Sequence, residues 1–135
     1  KTVDDARGKG AQVVVLLSHN GMDVDLKMAS RVRGIDAIFG GHTHDGVPVA
    51  VPVANPGGKT LVTNAGSNSK FLGLMDFDVK GGKVADFRYR LLPIFANQLK
   101  ADAEMAALIT KVRAPYEAKL AEKLAVTDGL LYRRS

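Results

Sequence analysis

The sequence GIDAIFGGHTHDG, residues 34–46, joins an apolar run of strand length to a glycine pair and two histidines. The glycines leave the backbone free to turn sharply directly after the run. His42 and His44 follow at once, two residues apart. A short loop held by a strand can direct two imidazole rings into one cavity, so this stretch is typical of a metal-binding loop.

A third histidine, His19, stands in the same relation to an earlier apolar run, VVVLLS at residues 13–18. The chain has three histidines in all, and each lies just beyond the end of a predicted buried strand. Because neutral imidazole is the commonest protein ligand for transition metals, we predict that His19, His42 and His44 converge on one metal-binding cavity. The alternative is structural: His19 caps a helix, His42 is hydrogen-bonded in the core and His44 is solvated.

Two strands and a helix are predicted around these histidines. Residues 12–18 form an unbroken β-branched and leucine run, which indicates a strand covered on both faces. A helix capped by Asp23 follows and ends at Gly34, and residues 35–39 form a second buried strand. Strand, helix and strand within about thirty residues indicate a βαβ unit with parallel strands. Ligands of open α/β sheets gather beyond the carboxyl ends of such strands, where all three histidines lie.

The rest of the chain is predicted to form further strands and then helices. Alternating proline and valine at residues 47–53 favour an edge strand, and residues 60–63 form a short strand. The glycine pair at 81–82 predicts a hairpin between strands 71–79 and 84–92, with alternating exposure. Sheet gives way to helix near residues 95–101. The predicted helices span residues 102–112 and 116–124, separated by Pro115.

The composition excludes several classes of function. At 46% hydrophobic and 24% charged, the 135 residues suffice for one folded core. No apolar run approaches the ~20 residues needed to cross a bilayer, so we expect no membrane partner. The absence of cysteine excludes disulfides, thiolate ligands and a cysteine nucleophile. The net charge of +5 is dispersed and not interleaved with aromatics, so we expect no nucleic-acid partner.

Other polar residues near the predicted loops are candidates for the site. Asp45 is placed to orient an imidazole as a hydrogen-bond acceptor, although it could equally be an exposed turn residue. Asn20 and Lys70 are candidates for binding substrate, with a turn role and a surface role as their alternatives. Asp36 precedes the second strand and lies at the opposite sheet edge from the histidines, which favours a structural role. Asn64 is also assigned a structural role.

Several motifs resemble the calcineurin-like metallophosphoesterases, in the branch that contains the 5′-nucleotidases. They are Ser18-His19-Asn20-Gly21, Gly34-Ile35-Asp36 and Gly40-Gly41-His42-Thr43-His44. Asn64-Ala65-Gly66 and Phe71-Leu72-Gly73 are similar to the glycine loop and following strand of that branch. Within the branch, residues 17–48 and 67–77 are most similar to the thiosulfohydrolases of the bacterial sulfur-oxidation (Sox) pathway. The resemblance covers nearly the whole chain and continues towards Tyr132.

The resemblance implies a four-layer α/β/β/α sandwich that holds two divalent metal ions, with manganese as the expected metal. By position, His19 and His42 would ligate one ion and His44 the other. The family's Asp-x-His pair, bridging aspartate and Asn-His motif with its catalytic histidine have no counterpart here. Residues 1–100 would therefore be the C-terminal half of the dimetal catalytic domain, and residues 101–135 a helical segment leading towards a missing C-terminal domain. We accordingly expect the sequence to be a piece of a longer protein, with its catalytic residues elsewhere.

The implied activity is release of sulfate from a cysteine S-thiosulfonate on a sulfur-carrier protein, during thiosulfate oxidation in the periplasm. A 5′-nucleotidase or 2′,3′-cyclic phosphodiesterase is the close alternative, because phosphoryl and sulfonate groups are both tetrahedral and rich in oxygen. A non-enzymatic binding module, in which the histidines only pack, is the third possibility. Since three neutral imidazoles cannot offset the charge of two divalent ions without carboxylates, we expect the isolated segment to be inactive and to hold metal poorly.

Overall fold

The computed structural model describes residues 1–131; residues 132–135, where the predicted helical segment and the family resemblance end, lie outside the described residues. The chain divides into two compact units, Lys1–Gln98 and a second that begins at Leu99. The helices and strands of the first unit are α1 (Thr2–Gly8), β1 (Val15–Leu17), α2 (Met22–Ala29), β2 (Ala37–Gly40), β3 (Val51–Asn55), β4 (Gly58–Asn64), β5 (Phe71–Lys80) and β6 (Lys83–Pro93). The second unit contains α3 (Ala103–Arg113) and α4 (Glu117–Leu120).

The main sheet of the first unit has four strands in the order β1-β2-β4-β3. β1, β2 and β4 are parallel, which confirms the predicted βαβ unit. β3 runs antiparallel to β4 at the edge of the sheet, with Pro52 opposite Leu61. The proline-containing strand therefore occupies the edge position that its missing N–H favours. The parallel pairing brings the loops after β1 and β2 to the same edge of the sheet.

Both faces of the main sheet are covered by other elements of the first unit. On one face, Ala29 of α2 packs with the buried side chains of Ile35, Ile38 and Val62, and Val3 of α1 joins the same cluster. On the other face, the strand residues Ala37 and Leu61 pack against the β5–β6 hairpin; the hairpin side chains in that cluster are Met75, Phe77, Phe87 and Tyr89. The layers thus run α, β, β, which confirms the predicted α/β class.

The β5–β6 hairpin follows the predicted pattern closely. Gly81 and Gly82 form its turn with φ of 58° and 74°. A two-residue turn with positive φ at both central positions matches the twist of the flanking strands, and glycine adopts it without steric cost. The side chains that face the main sheet are half-buried and alternate with exposed ones, as a hairpin covered on one face requires.

Two predictions for the βαβ unit are wrong in detail. The first predicted strand is shorter and is not covered on both faces, since Leu17 of β1 is 76% exposed. Among residues 1–131, β1 pairs only with β2 and lies at the edge of the sheet, so Leu16 packs with the helical layer while the opposite face of the strand stays open. Helix α2 begins at Met22 after Gly21 rather than after Asp23, and its C-cap is Ser30, well before Gly34.

The second unit confirms the predicted helix after Asp102. The Asp102 side chain accepts a hydrogen bond from the Met105 backbone N–H at 2.8 Å and so caps α3. The helix after Pro115 is shorter than predicted, spanning Glu117–Leu120 only. The apolar side chains of α3 are at least half exposed; they are Met105, Leu108, Ile109 and Val112. Within the described residues, no helix is both long enough and apolar enough to cross a membrane.

Replacing Asp36 by alanine is expected to lower the free energy of unfolding by about 1 to 3 kcal/mol. The Asp36 carboxylate accepts hydrogen bonds from the Arg7 guanidinium at 2.5 Å and from the Val14 N–H at 2.7 Å, and it is only 19% exposed. Removing it leaves both donors without this partner. This is the structural role predicted for Asp36, and urea denaturation measures the loss.

The exposed Asp5, in the first turn of α1, supplies the control. The Asp5→Ala variant makes the same charge change but should leave the unfolding free energy within about 0.5 kcal/mol. Because Asp36 and His42 flank opposite ends of β2, neither substitution should change metal affinity. Loss of metal from Asp36→Ala at full folding would contradict the structural assignment.

Candidate metal centre

The structure brings His19 and His42 together. Leu17, the last residue of β1, lies opposite Phe39 of β2 in the parallel register, and each histidine follows its own strand by two residues. The Ser18 N–H extends this ladder by donating to the Phe39 carbonyl at 3.0 Å. The two imidazole centroids are 5.2 Å apart, with the ring planes inclined by 68°. The pairing of two parallel strands therefore fixes the separation of two possible ligands.

This separation fits two ligands of one metal ion. A metal–nitrogen bond of about 2.1 Å and a ring radius of roughly 1.2 Å put neighbouring imidazole centroids about 4.7 to 5.4 Å apart at ligand angles of 90° to 110°. The observed 5.2 Å falls within that range. Both side chains are exposed, so an ion has access to them. The spacing of His19 and His42 is therefore compatible with a divalent ion held between them.

His44 does not join this pair. Within residues 1–131, no group of three or more His, Cys, Asp or Glu side chains is placed to hold a metal. The structure pairs two of the three imidazoles, and the predicted convergence of all three on one cavity stays a prediction. His42 and His44 both adopt left-handed backbone conformations, with φ of 76° and 61°, so the chain turns between them and does not extend as a strand. A role for His44 as ligand of a separate ion stays a prediction.

The loop that carries His42 and His44 is held by Thr43. Its Oγ1 accepts a hydrogen bond from the Met22 N–H at 3.1 Å, at the start of α2, and donates one to Asp45 Oδ2 at 2.5 Å. Non-glycine residues with positive φ cost roughly 1 to 3 kcal/mol each and persist only where their surroundings constrain them. Thr43 supplies such a constraint by joining the histidine loop to the first turn of α2.

Asp45 thus stabilises the histidine loop by accepting a hydrogen bond from the Thr43 hydroxyl group. No hydrogen bond among the described residues joins its carboxylate to an imidazole. The predicted role of Asp45 as an imidazole acceptor stays a prediction, and its observed partner is Thr43. Asp45 also anchors the next loop, because its backbone carbonyl accepts from the Gly66 N–H at 2.8 Å.

Two glycines allow the histidine loops to approach each other closely. A Cβ atom at Gly41 would lie 3.2 Å from His19 Nδ1, and one at Gly21 would lie 2.9 Å from Thr43 Cγ2. Gly21 also has φ of 98° and ψ of 155°, a conformation almost restricted to glycine. The backbone of each loop therefore rests on the side chains of the other.

The two predicted substrate-binding residues, Asn20 and Lys70, are both exposed. Asn20 is exposed next to His19, and its Nδ2 donates to Ser18 Oγ at 3.0 Å. Lys70 is exposed in the loop before β5. The neighbouring Phe71 ring would contact a Cβ atom at Gly46 at 3.4 Å and one at Gly66 at 2.9 Å, so the start of β5 adjoins the loop that follows the histidines. Both residues therefore stay candidates for contacting substrate.

Two buried polar side chains beneath the loops were not predicted to belong to the site. Asp25 of α2 is fully buried, and Asn64, at the end of β4, is 1% exposed; each has one side-chain oxygen without a hydrogen-bond partner. Asn64 Nδ2 lies 3.5 Å from the carbonyl oxygen of Gly41, so it supports the histidine loop. A signal for Asp25 exists in the sequence: it lies four residues before Ala29, on the face of α2 that packs against the sheet.

No family model matches the chain. The trifunctional nucleotide phosphoesterase YfkN of Bacillus subtilis is 43% identical over 121 residues, which cover 87% of this chain and 8% of that protein. The solved structure of the sulfate thiohydrolase SoxB of Thermus thermophilus is 41% identical, with a TM-score of 0.84 over 98% of this chain and 24% of that one. A 5′-nucleotidase precursor from the same species is 28% identical, with a TM-score of 0.80 over 92% of this chain and 27% of that one.

These similarities extend over nearly all of this chain but only part of each relative. The chain spans less than a tenth of the Bacillus protein and about a quarter of each Thermus structure. The chain belongs to the 5′-nucleotidase branch of the calcineurin-like metallophosphoesterases, and the α, β, β layers of its first unit are a fragment of the sandwich fold of that family.

Proposed function

We propose that this chain supplies the histidine side of a two-metal centre in a hydrolase that releases sulfate from a cysteine S-thiosulfonate on a sulfur-carrier protein. The observation that carries the proposal is the similarity to the sulfate thiohydrolase. It combines a TM-score of 0.84 and 41% identity with 98% cover of this chain, against 0.80, 28% and 92% for the 5′-nucleotidase precursor. Both the sequence identity and the TM-score are therefore higher for the thiohydrolase than for the 5′-nucleotidase precursor, which shares the fold.

His19 and His42 would hold one divalent ion and His44 a second, with Mn²⁺ as the proposed metal. When bound, such ions supply Lewis-acid activation of water and electrostatic stabilisation of an anionic substrate. The candidate ligands in this chain are imidazoles, which carry no negative charge. A centre of two divalent metal ions also requires carboxylate ligands. We therefore expect this chain on its own to hold metal weakly and to be inactive, and the full-length protein to be the active species.

The proposed reaction is a balanced hydrolysis. Water adds to the sulfonate sulfur, and the bond between this sulfur and the adjacent sulfane sulfur breaks. The sulfane sulfur leaves with a proton as a cysteine persulfide and the other product is sulfate, so no oxidant or reductant is needed. Asn20 and Lys70, which are both exposed, are the proposed contacts for the sulfonate oxygens. A cationic amine and an amide are suited to this group because its oxygens accept hydrogen bonds and carry negative charge.

The chemistry of this substrate favours the periplasm as the place of reaction. A cysteine S-thiosulfonate contains a sulfur–sulfur bond that thiolates attack by exchange. The cytosol is kept rich in reduced thiols, whereas oxidised sulfur species persist in the periplasm. We accordingly propose a periplasmic enzyme whose partner is the carrier protein.

A substrate comparison tests the proposal. The full-length protein with Mn²⁺ is given a carrier peptide with a cysteine S-thiosulfonate, AMP, or a 2′,3′-cyclic nucleotide, and the release of sulfate or phosphate is measured. We expect kcat/KM for the thiosulfonate to exceed both others by at least about 100-fold, because only the preferred substrate satisfies the polar groups of the site. The His19→Ala variant should lose this activity, whereas preference for AMP or the cyclic nucleotide would overturn the assignment.

Nucleotide hydrolysis is the second candidate function. It is supported by the 43% identity to the nucleotide phosphoesterase of Bacillus subtilis, which is similar in degree to the identity with the thiohydrolase. The same metal half-site could serve a phosphoryl group, since this group is also tetrahedral and anionic. The substrate comparison above separates the two candidates directly.

A further inference from the structure

A fully buried carboxyl group lies beneath the two paired histidine loops. Asp25, in the middle of α2, is 0% exposed, and its Oδ2 has no hydrogen-bond partner. Burying a carboxyl group without satisfying both oxygens is costly, and such groups are uncommon in a folded core. An apolar residue at this position would pack against the sheet at no such cost. The presence of an aspartate therefore indicates a requirement other than core packing.

The first carboxyl oxygen of Asp25 holds the loop that carries His19. Ser18 Oγ donates a hydrogen bond to Asp25 Oδ1 at 2.5 Å. The same hydroxyl oxygen accepts from Asn20 Nδ2 at 3.0 Å. The residues on both sides of His19 are thus joined to one buried group, which limits how far this loop can move.

The second carboxyl oxygen contacts the loop that carries His42. A Cβ atom at Gly40 would lie 2.7 Å from Asp25 Oδ2, so the carboxyl group rests directly against the Gly40 backbone. Gly40 ends β2 and stands two residues before His42. No side chain larger than hydrogen fits between them. The carboxyl group of Asp25 therefore contacts both Ser18, which follows β1, and Gly40, which ends β2.

We propose that Asp25 is a positioning residue that sets the separation of His19 and His42, and thereby the affinity of the centre for its first metal ion. The inference rests on the proposed function, because it assumes that the two imidazoles share an ion. Asp25 acts through Ser18 on one loop and through Gly40 on the other. Ser18 requires the hydrogen-bond acceptor of the Asp25 side chain, and the close contact with Gly40 depends on the shape of that side chain.

The positioning role of Asp25 is tested by titrating Mn²⁺ into the full-length apo protein. Binding is measured as the decrease in the electron paramagnetic resonance signal of free Mn²⁺. Asp25→Ala should weaken binding of the first ion by about 10- to 100-fold, the range typical of residues that orient metal ligands. Asp25→Asn keeps the volume and an acceptor for Ser18, so it should recover most of the affinity. The exposed Asp23 of the same helix supplies the control, and Asp23→Asn should bind within twofold of the parent.

A core variant separates positioning from stability. Val62→Ala shortens a fully buried side chain in the centre of the sheet, so it should lower the melting temperature without changing Mn²⁺ affinity. Ser18→Ala keeps Asp25 and removes the hydroxyl bridge, and it should weaken Mn²⁺ binding even if Asp25→Ala fails to fold. Parent-like affinity in Ser18→Ala, or equal losses in Asp25→Ala and Asp25→Asn, would overturn the positioning role.

The outcomes also distinguish this inference from the proposed function. If the parent binds Mn²⁺ and loses it in His19→Ala, the metal centre stands and the Asp25 and Ser18 variants judge the positioning role alone. If the parent binds no Mn²⁺, or His19→Ala binds as well as the parent, the proposed function fails and the positioning role fails with it.

Discussion

Replacing His42 by alanine is expected to weaken binding of the first Mn²⁺ ion by more than about 100-fold, because residues that merely orient ligands already contribute 10- to 100-fold. His42 and His19 are the imidazole pair at 5.2 Å, so removing either leaves an ion with a single imidazole from this pair. Equilibrium dialysis of the full-length protein followed by metal analysis measures the effect. Far-ultraviolet circular dichroism establishes that the variant is folded.

The other two histidines make this experiment specific. His19→Ala should match His42→Ala, and the double variant should lose little more, since two ligands of one ion are not additive. His44→Ala should leave the first ion in place and remove a second, because His44 lies outside the paired group. Unchanged metal content in both His19→Ala and His42→Ala would remove the metal hypothesis and favour a binding module in which the histidines only pack.

Much of the fold could be predicted from local patterns. The glycine pair of the hairpin turn, the proline-containing edge strand and the βαβ spacing each follow from backbone conformations or pairings that few residues permit. The exposure of β1 could not be predicted in this way. Its apolar run has the composition of a strand covered on both faces, but among residues 1–131 Leu17 lies on an edge strand whose outer face is open. The composition of a strand indicates whether its faces can be buried. It does not indicate which other strands and helices lie next to it.

The site was predictable in part for a similar reason. Parallel strand order brings His19 and His42 to one edge of the sheet, and that follows from topology. The direction of each imidazole depends on loop dihedral angles, and the positive φ values of His42 and His44 have no clear sequence signal. Asp25 was missed because a single polar residue in an amphipathic helix is ordinarily exposed. It contacts Ser18, which follows β1, and Gly40, which ends β2, and these two residues are close in space but 22 positions apart in the sequence.

Replacing Gly21 by alanine is expected to lower both the stability of the fold and the affinity for metal. Backbone strain at φ of 98° costs about 1 to 3 kcal/mol, and the added methyl group would lie 2.9 Å from Thr43 Cγ2 and 3.6 Å from His42 Cδ2. Overpacking of this kind typically adds about 1 to 3 kcal/mol. The loss in unfolding free energy should therefore be roughly 2 to 5 kcal/mol by urea denaturation. Displacement of the Thr43 side chain should also weaken Mn²⁺ binding.

Gly10 provides a control that isolates the cost of backbone strain from the cost of the methyl contact. It has φ of 93°, close to that of Gly21, but a Cβ atom there would meet nothing within 4 Å. Gly10→Ala should therefore lose only the part of the stability that arises from backbone strain, and it should bind Mn²⁺ as the parent does. The difference between the two variants measures the contact between the loops of His19 and His42. Equal losses of stability with parent-like metal affinity in both variants would mean that the loop contact does not support the metal centre.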